Sequence, residues 1–163
     1  MRRPAGNEDG GDLDGRSNRR TIALMYERFN ESARSAMFYA TEEARPSSPY
    51  IEPEHLLLGV MRASEPELSS TLDFSELVQK FRGNRATQDR AAPVGGYTPL
   101  ANASKRALAY AAEEAASLDS WEINTGHLLL GILRESDAIA AVFLTEHGID
   151  LKKARQVVAT LRR

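Results

Sequence analysis

The sequence predicts an all-α fold, built from two tandem four-helix repeats that are related by a pseudo-twofold axis. The phrase HLLLG occurs twice, beginning at His55 and at His127, so the two copies lie 72 residues apart. The phrase EEA precedes each copy with a spacing of 71 residues, and Arg62 and Arg134 follow with a spacing of 72. Three landmarks in one order and almost one register indicate an internal duplication. Apolar residues recur at helical spacing in both copies, and no stretch carries a strand pattern of any weight.

The composition is typical of a globular domain with a sizeable core. The chain has 163 residues, of which 42% are hydrophobic and 27% charged, and its formal net charge is −2. Near-neutrality argues against a general nucleic-acid binder, and the absence of cysteine excludes disulfides and thiolate chemistry. The chain has no run of about eighteen apolar residues, and its first residues resemble neither a secretory signal nor a transit peptide. We therefore expect a cytoplasmic protein without nucleic-acid or membrane partners.

Changes in composition divide the chain into four segments. Residues 1–24 are rich in Gly, Asp, Asn and Arg and are predicted to form a disordered tail, because they contain too little apolar surface to offset the entropy of ordering. The first repeat is expected at 25–82 and the second at 97–163. The soft stretch at 83–96 between them is predicted to be a linker.

Four helices are predicted in the first repeat. Asn30 is a suitable N-cap for the first of them, whose apolar face repeats at helical spacing. Pro53 marks the start of the HLLLG helix, which is apolar nearly all round and is therefore expected to be buried. Two shorter helices are expected to follow, from Glu67 to Leu72 and from Ser75 to Phe81.

The second repeat is predicted to have the same four helices, about eight in all. Thr98 followed by Pro99 is typical of a helix start, with a capping hydroxyl and a proline at the first helical position. Asn124 marks the start of the second HLLLG helix. Two helices are expected after it, from Ala138 to Glu146 and from Leu151 to Leu161, with Gly148 ending the former as a C-terminal cap.

The glycines and histidines of the repeated phrase are expected to have structural roles. A glycine inside a helix costs roughly 1 kcal/mol relative to alanine. Gly59 and Gly131 are therefore predicted to permit a close helix–helix approach, most simply between the two HLLLG helices near the centre of the fold. His55 and His127 are interpreted as helix-start residues whose rings hydrogen-bond between elements, because no HExxH or close ligand pair points to a metal site.

Sequence signatures of catalysis are absent. The chain contains no Gly-Lys pair, which excludes a P-loop, and no Gly-x-Ser-x-Gly elbow for a nucleophilic serine. The paired carboxylates Glu42–Glu43 and Glu113–Glu114 are interpreted as solvated helix faces. We therefore expect no catalytic residue, no metal and no cofactor.

The doubled pattern resembles a known family. Each copy has a helix, an EEA and then a phrase of the form [I/V]-x-[T/P]-x-H-[I/L]-L-L-G-[L/I/V]-[L/M/I]-[R/H], and the chain closes with GIDLKKARQVV. From Tyr26 to Arg163 this resembles the Clp repeat domain, the N-terminal module of the ring ATPases of the Clp protease system. The resemblance implies a free-standing protein-binding module without ATPase activity, whose partners are a Clp ATPase, adaptors or substrate proteins.

The resemblance also implies a ligand, phosphoarginine, carried on partner segments. In relatives, an acidic residue just before the motif histidine faces the guanidinium, and the start of the first helix of the half lies near the phosphate. Here Asn30 and Glu54 occupy these positions in the first half, whereas the second half keeps Thr98 but has Gly126 in place of the acid. The resemblance therefore implies one effective site, around Asn30 and Glu54.

Two other functions remain open at this point. A free-standing relative could dock as a structural accessory subunit on the Clp protease core, as plastid relatives do. A small helical enzyme could use the histidines and paired glutamates, but those residue types occur in any protein.

Overall fold

The computed structural model describes residue 20 and residues 22–84 and 98–161. Within these residues the chain is all-α, as predicted, and its only extended pairings are two isolated bridges. The helices are α1 (residues 22–28), α2 (Glu31–Ala44), α3 (Pro53–Ala63), α4 (Pro66–Thr71), α5 (Phe74–Asn84), α6 (Asn102–Ser117), α7 (Thr125–Arg134), α8 (Ile139–Glu146) and α9 (Leu151–Thr160). We refer to α2–α5 as the first half and to α6–α9 as the second half. No helix in the described part is long and apolar enough to cross a membrane.

Local sequence signals explain most of the helix ends. The side-chain oxygens of Asn30 and Asn124 accept hydrogen bonds from the backbone N–H groups of Ala33 (2.9 Å) and His127 (3.0 Å), so the predicted N-cap at Asn30 and the predicted helix start at Asn124 are confirmed. Gly148 follows α8 with a φ of +86°, a left-handed conformation in which glycine lacks the steric penalty of a side chain.

The predicted start of the first helix of the second repeat is wrong. Helix α6 begins at Asn102, with Ala101 as its N-cap, and not at Thr98 and Pro99. The backbone N–H of Ile51 donates to the carbonyl of Pro99 (2.8 Å), and the N–H of Ala101 donates to the carbonyl of Ile51 (3.0 Å). These bonds hold the residues before Ala101 in an extended bridge to the first half, so they precede the helix.

Two predicted boundaries also shift. Residues 22–28 are helical and Met25 is buried, so helix α1 starts within the segment predicted to be a disordered tail. The rest of that tail, 1–19 and 21, lies outside the described residues. Helix α5 continues to Asn84, and the remainder of the predicted linker, 85–96, also lies outside them.

The close approach expected at the two glycines is present, but its partner is different. A Cβ atom added to Gly59 would clash with the carbonyl oxygen of Ala36 in α2, and one added to Gly131 would clash with that of Ala107 in α6. Each HLLLG helix therefore packs most tightly against the first helix of its own half, where alanines leave room for the glycine. Helices α3 and α7 also contact each other between the halves.

The two halves share one hydrophobic core. Leu57 of α3 and Leu129 and Leu130 of α7 are completely buried, as their apolar surroundings in the sequence predicted. Phe81 of α5 and Phe143 of α8 join the halves, with ring centroids 4.7 Å apart. This shared core fixes the helix starts of one half relative to those of the other.

Candidate functional site

The starts of the first two helices of each half are paired across the two halves. Immediately before α2, the N–H of Asn30 donates to the carbonyl of Ile123 (3.1 Å), and the N–H of Ile123 donates to the carbonyl of Arg28 (2.8 Å). The bridge between Ile51 and Leu100 repeats this arrangement before α3 and α6. The start of α2 therefore lies against the start of α7, and the start of α6 lies against the start of α3.

The structure does not bring Asn30 and Glu54 together into one site. Helices α2 and α3 run antiparallel: Gly59 lies against Ala36, and the Ser32 hydroxyl at the start of α2 donates to Glu65 just after α3 (3.0 Å). Glu54, in the first turn of α3, therefore lies beside the end of α2. At 1.5 Å per helical residue, Asn30 and Glu54 are roughly 20 Å apart along the α2 axis.

The resemblance implied two features for a phosphoarginine site: a capped helix start for the phosphate and an acidic residue for the guanidinium. Each of the two helix-start pairs has only one of them. The start of α2 has the capping side chain of Asn30, but the facing start of α7 has Gly126 in place of an acid. The start of α3 has Glu54, but the facing start of α6 has Ala101, which offers no side-chain cap. Thr98 lies four residues before α6 and therefore does not mark the start of that helix.

The two motif histidines serve to start their helices. Both rings are buried, with 2% exposure. The Nδ1 atom of His55 accepts from the N–H of Glu52 (2.9 Å), and that of His127 accepts from the N–H of Asn124 (3.0 Å). Because Nδ1 is the acceptor, a neutral ring carries its proton on Nε2. These two bonds lie within each helix start, and the hydrogen bonds between elements that the sequence suggested stay a prediction. In the part of the chain that the structure describes, no group of three or more His, Asp or Glu residues is placed to hold a metal ion.

The second glutamate of the first EEA phrase belongs to an ion-pair cluster, so its interpretation as part of a solvated face is wrong. Glu43 accepts two hydrogen bonds from Arg82 (2.9 and 2.6 Å) and lies 3.5 Å from Arg62. The Arg62 guanidinium in turn lies over the ring of Tyr39, 4.0 Å from its centroid. We call Tyr39, Glu43, Arg62 and Arg82 the first-half cluster.

The second half repeats the cluster with a more deeply buried carboxylate. The side chain of Glu114 is only 6% exposed and accepts from Arg155 (3.1 and 2.7 Å) and from Arg134 (3.3 Å). Arg134 also pairs with the exposed Glu113 (2.9 Å) and lies 4.2 Å from the ring centroid of Tyr110. We call Tyr110, Glu114, Arg134 and Arg155 the second-half cluster. Its tyrosine and arginines recur at nearly the repeat spacing, a signal that was present in the sequence.

The electrostatics of the first-half cluster favour the ionised carboxylate. Burial alone would raise the pKa of Glu43, but hydrogen bonding to Arg82 and the charges of Arg82 and Arg62 outweigh it, so its pKa lies below the ordinary value. Hydrogen bonding to Glu43 raises the pKa of Arg82, and hydrogen bonding to Glu114 raises that of Arg155. The clusters thus tie the last helix of each half to its first two helices.

An exposed aromatic surface lies beside the bridge before α2. Trp121 is 70% exposed, its carbonyl accepts from Nε of Arg28 (2.9 Å), and the Arg28 guanidinium lies 5.0 Å from its ring centroid. Leu24, also exposed, lies one helical turn before Arg28 on the same face of α1. We call Leu24, Arg28 and Trp121 the Trp121 surface. Sequence reasoning missed it, because a single tryptophan carries no indication of exposure.

Comparison with known proteins identifies relatives of both sequence and fold. The family model of the Clp repeat (R) N-terminal domain matches residues 100–162. ClpC/MecB of Bacillus subtilis strain 168, a negative regulator of genetic competence, is 35% identical over 149 residues, which cover 85% of this chain and 17% of that protein. ClpC of Staphylococcus aureus strain USA300, an ATP-binding subunit of the ATP-dependent Clp protease, is 32% identical over 148 residues with the same coverage. The chain thus spans about a sixth of the length of these relatives.

Two solved structures share the fold at low sequence identity. The N-terminal domain of the chaperone ClpD from Arabidopsis thaliana has a TM-score of 0.63 at 22% identity, covering 83% of this chain and 94% of that domain. The N-terminal domain of the ClpV1 ATPase from E. coli has a TM-score of 0.69 at 21% identity, covering 89% and 92%. These two matches show the fold alone; the match to the family model and the 35% identity to ClpC/MecB over 85% of the chain show that the chain belongs to the family of Clp repeat N-terminal domains.

Proposed function

We propose that this chain is a protein-binding module of a Clp chaperone–protease system, which recognises substrates or adaptors or modulates a Clp ATPase and does not itself hydrolyse ATP. The observation that carries the proposal is the Trp121 surface on a Clp N-terminal-domain fold. Tryptophan and arginine are enriched among the residues that dominate binding energy in protein interfaces. An exposed tryptophan held by a backbone hydrogen bond and a guanidinium is partly pre-organised, which lowers the entropic cost of binding.

The helix-start pairs support a weaker role in recognising phosphoarginine-bearing segments. The N-terminus of the long helix α2 directs free N–H groups outward, which suits a phosphate, and Glu54 suits a guanidinium. The start of α2 and Glu54 lie in different pairs. Neither pair therefore offers both a phosphate-binding helix start and an acid for the guanidinium. Loss of one charged hydrogen bond corresponds to about ten- to a hundredfold in affinity. We therefore expect phosphoarginine, if carried by a partner, to bind weakly at both pairs.

An enzymatic function loses support from the geometry. Nδ1 of both motif histidines is occupied at a helix start, and the better-buried glutamates are held by arginines. None of these groups is arranged as a general acid or base beside a nucleophile. We expect purified protein to show no turnover of ATP or of model esters.

A pull-down with matched variants tests the proposal. Tagged wild-type protein should recover a Clp ATPase, an adaptor or substrate proteins from a bacterial lysate that contains a Clp system. Trp121→Ala should reduce recovery by about tenfold, because it removes the main anchor of the surface. The control is Phe38→Ala, which removes another exposed aromatic, at 60% exposure, from α2 outside the Trp121 surface and should leave recovery unchanged.

Two outcomes would contradict the proposal. Recovery of the Clp peptidase without an ATPase, adaptor or substrate would favour the accessory-subunit alternative. Equal recovery by wild type and by the Trp121 variant would show that binding does not use this surface. Melting curves of both variants would establish that they are folded.

A further inference from the structure

An open groove lies in the second half, beside the second-half cluster and away from both helix-start pairs. It is formed by α6, α7 and α9 and has a volume of about 690 Å³. A volume of this size is within the usual range for ligand sites in proteins. The apolar part of its lining comes from Leu118, Leu130 and Ala159, and Arg134 and Arg155 also line it. We call it the α6–α9 groove.

A buried carboxylate holds both arginines in place at the groove. Glu114 is only 6% exposed and accepts from Nε and Nη2 of Arg155 and from Nη1 of Arg134. Arg134 is held further by its position over the ring of Tyr110. A guanidinium has five N–H donors in one plane, and among the described residues Nη1 of Arg155 and Nη2 of Arg134 have no acceptor. The groove therefore offers pre-positioned donors to an acceptor group of a ligand.

A second, exposed carboxylate competes for one of these arginines. The side chain of Glu113 is 63% exposed and pairs with Nη1 of Arg134 at 2.9 Å. An ion pair this exposed contributes little free energy, so a carboxylate from a ligand can displace Glu113 into water at small cost. Once Glu113 is displaced, the two arginines and Glu114 leave the lining with a formal charge of +1. That charge matches one carboxylate and does not balance a phosphate dianion.

We propose that the α6–α9 groove binds a segment of a partner polypeptide in which an aspartate or glutamate directly precedes leucine. The side-chain carboxylate accepts from Arg134 and Arg155 in the place of Glu113, and the leucine packs against Leu118 and Ala159. Both contacts contribute, because an exposed ion pair is weak on its own and the burial of apolar surface adds a contribution that salt does not screen. The inference deepens the proposed function and rests on it in that the segment belongs to a bound protein.

Peptide titration followed by backbone NMR of the full chain tests the inference. The main probe is the acetylated, amidated hexapeptide Gly-Gly-Glu-Leu-Leu-Gly, which should shift the amide signals of Leu118, Leu130 and Ala159. Matched peptides replace its glutamate by glutamine or arginine, or both leucines by alanine. The glutamine and arginine peptides should bind at least about tenfold more weakly, because the charged hydrogen bonds are lost. The alanine peptide should also bind at least about tenfold more weakly, because it buries less apolar surface.

Three variants at exposed positions separate the groove from an effect of net charge. Glu113→Gln should strengthen binding of the glutamate peptide about two- to fivefold, because the peptide no longer competes with Glu113 for Arg134. The control Glu146→Gln removes the same charge from α8, outside the groove, and should leave the affinity unchanged. Gln156→Glu adds a carboxylate to the lining and should weaken binding about two- to fivefold. The melting temperature of each variant checks that it is folded.

Three results would overturn the inference. The first is an equal affinity of the glutamate peptide and any of the matched peptides, and the second is no shift of the groove signals with the glutamate peptide. The third is weaker binding of that peptide by the Glu113 variant, which would make Glu113 part of the binding site and not a competitor.

The pull-down distinguishes this inference from the proposed function. Recovery of a Clp ATPase, an adaptor or substrates by the wild type, without any groove shift, contradicts only the groove. Groove shifts with the glutamate peptide, without recovery of any of these proteins, contradict only the proposed function.

Discussion

Replacing Gly131 by alanine should destabilise the fold, although alanine is the best helix former. In an exposed helix the exchange gains about 1 kcal/mol. Here the new Cβ would clash with the carbonyl oxygen of Ala107 and lie 2.9 Å from the backbone nitrogen of Ala111. Both obstacles are backbone atoms, which move only if α6 and α7 separate. Overpacking of this kind costs about 1–3 kcal/mol, and the loss of contacts along two separated helices adds to it, so we expect a net loss of about 2 kcal/mol.

Thermal unfolding followed by circular dichroism measures this effect against an internal control. For a domain of this size, a loss of about 2 kcal/mol corresponds to a melting temperature lower by about 4–8 °C. Gly83→Ala is the matched control, because Gly83 lies in helix α5 with nothing within 4 Å of its added Cβ. It should raise the melting temperature slightly. If Gly131→Ala melted at or above the wild-type temperature, the close approach of α6 and α7 would not be the reason for the glycine.

The ion-pair clusters lead to two further predictions. Glu114→Gln should lower the free energy of unfolding, measured by urea denaturation, by about 1–2 kcal/mol. The control Glu113→Gln, at an exposed carboxylate, should change it by less than about 0.5 kcal/mol. Equal effects would mean that the burial of Glu114 does not matter. The pKa of Glu43 lies below its ordinary value of 4.5, so its contribution to stability is present above that pH and is lost as the pH falls through the lowered pKa. Glu43→Gln should therefore reduce the acid-side decrease in a plot of the free energy of unfolding against pH. For Glu52 the pH dependence of stability has the opposite sign. Burial, and then the charge of Glu54, raise its pKa, so the wild type loses stability as the pH rises through that pKa. Glu52→Gln should remove this loss from the free energy of unfolding.

Most of the helices were predictable from the sequence, because their signals are local. The cap at Asn124, the glycine after α8 and the apolar residues of HLLLG act through bonds and contacts within a few residues. The same locality explains why the duplication was readable: a repeated set of helix signals predicts a repeated set of helices. The positions expected to face the phosphate and the guanidinium came from the family resemblance. That expectation assumed that both positions lie in the same half.

Which helix starts and side chains meet depends on how the helices pack in three dimensions. The bridge from Ile51 to Leu100 joins residues 49 positions apart and moves the start of α6 to Asn102, which no local signal indicated. The antiparallel packing of α2 on α3 places Asn30 and Glu54 at opposite ends of α2, and the same packing makes Ala36, and not α7, the neighbour of Gly59. Glu43 and Glu114 look solvated in the sequence because each follows another glutamate, yet the fold places arginines from two other helices around them. In each case the contacting residue lies in another helix or in the other half. Helical periodicity shows only which residues share a face of one helix and not which helix packs against that face.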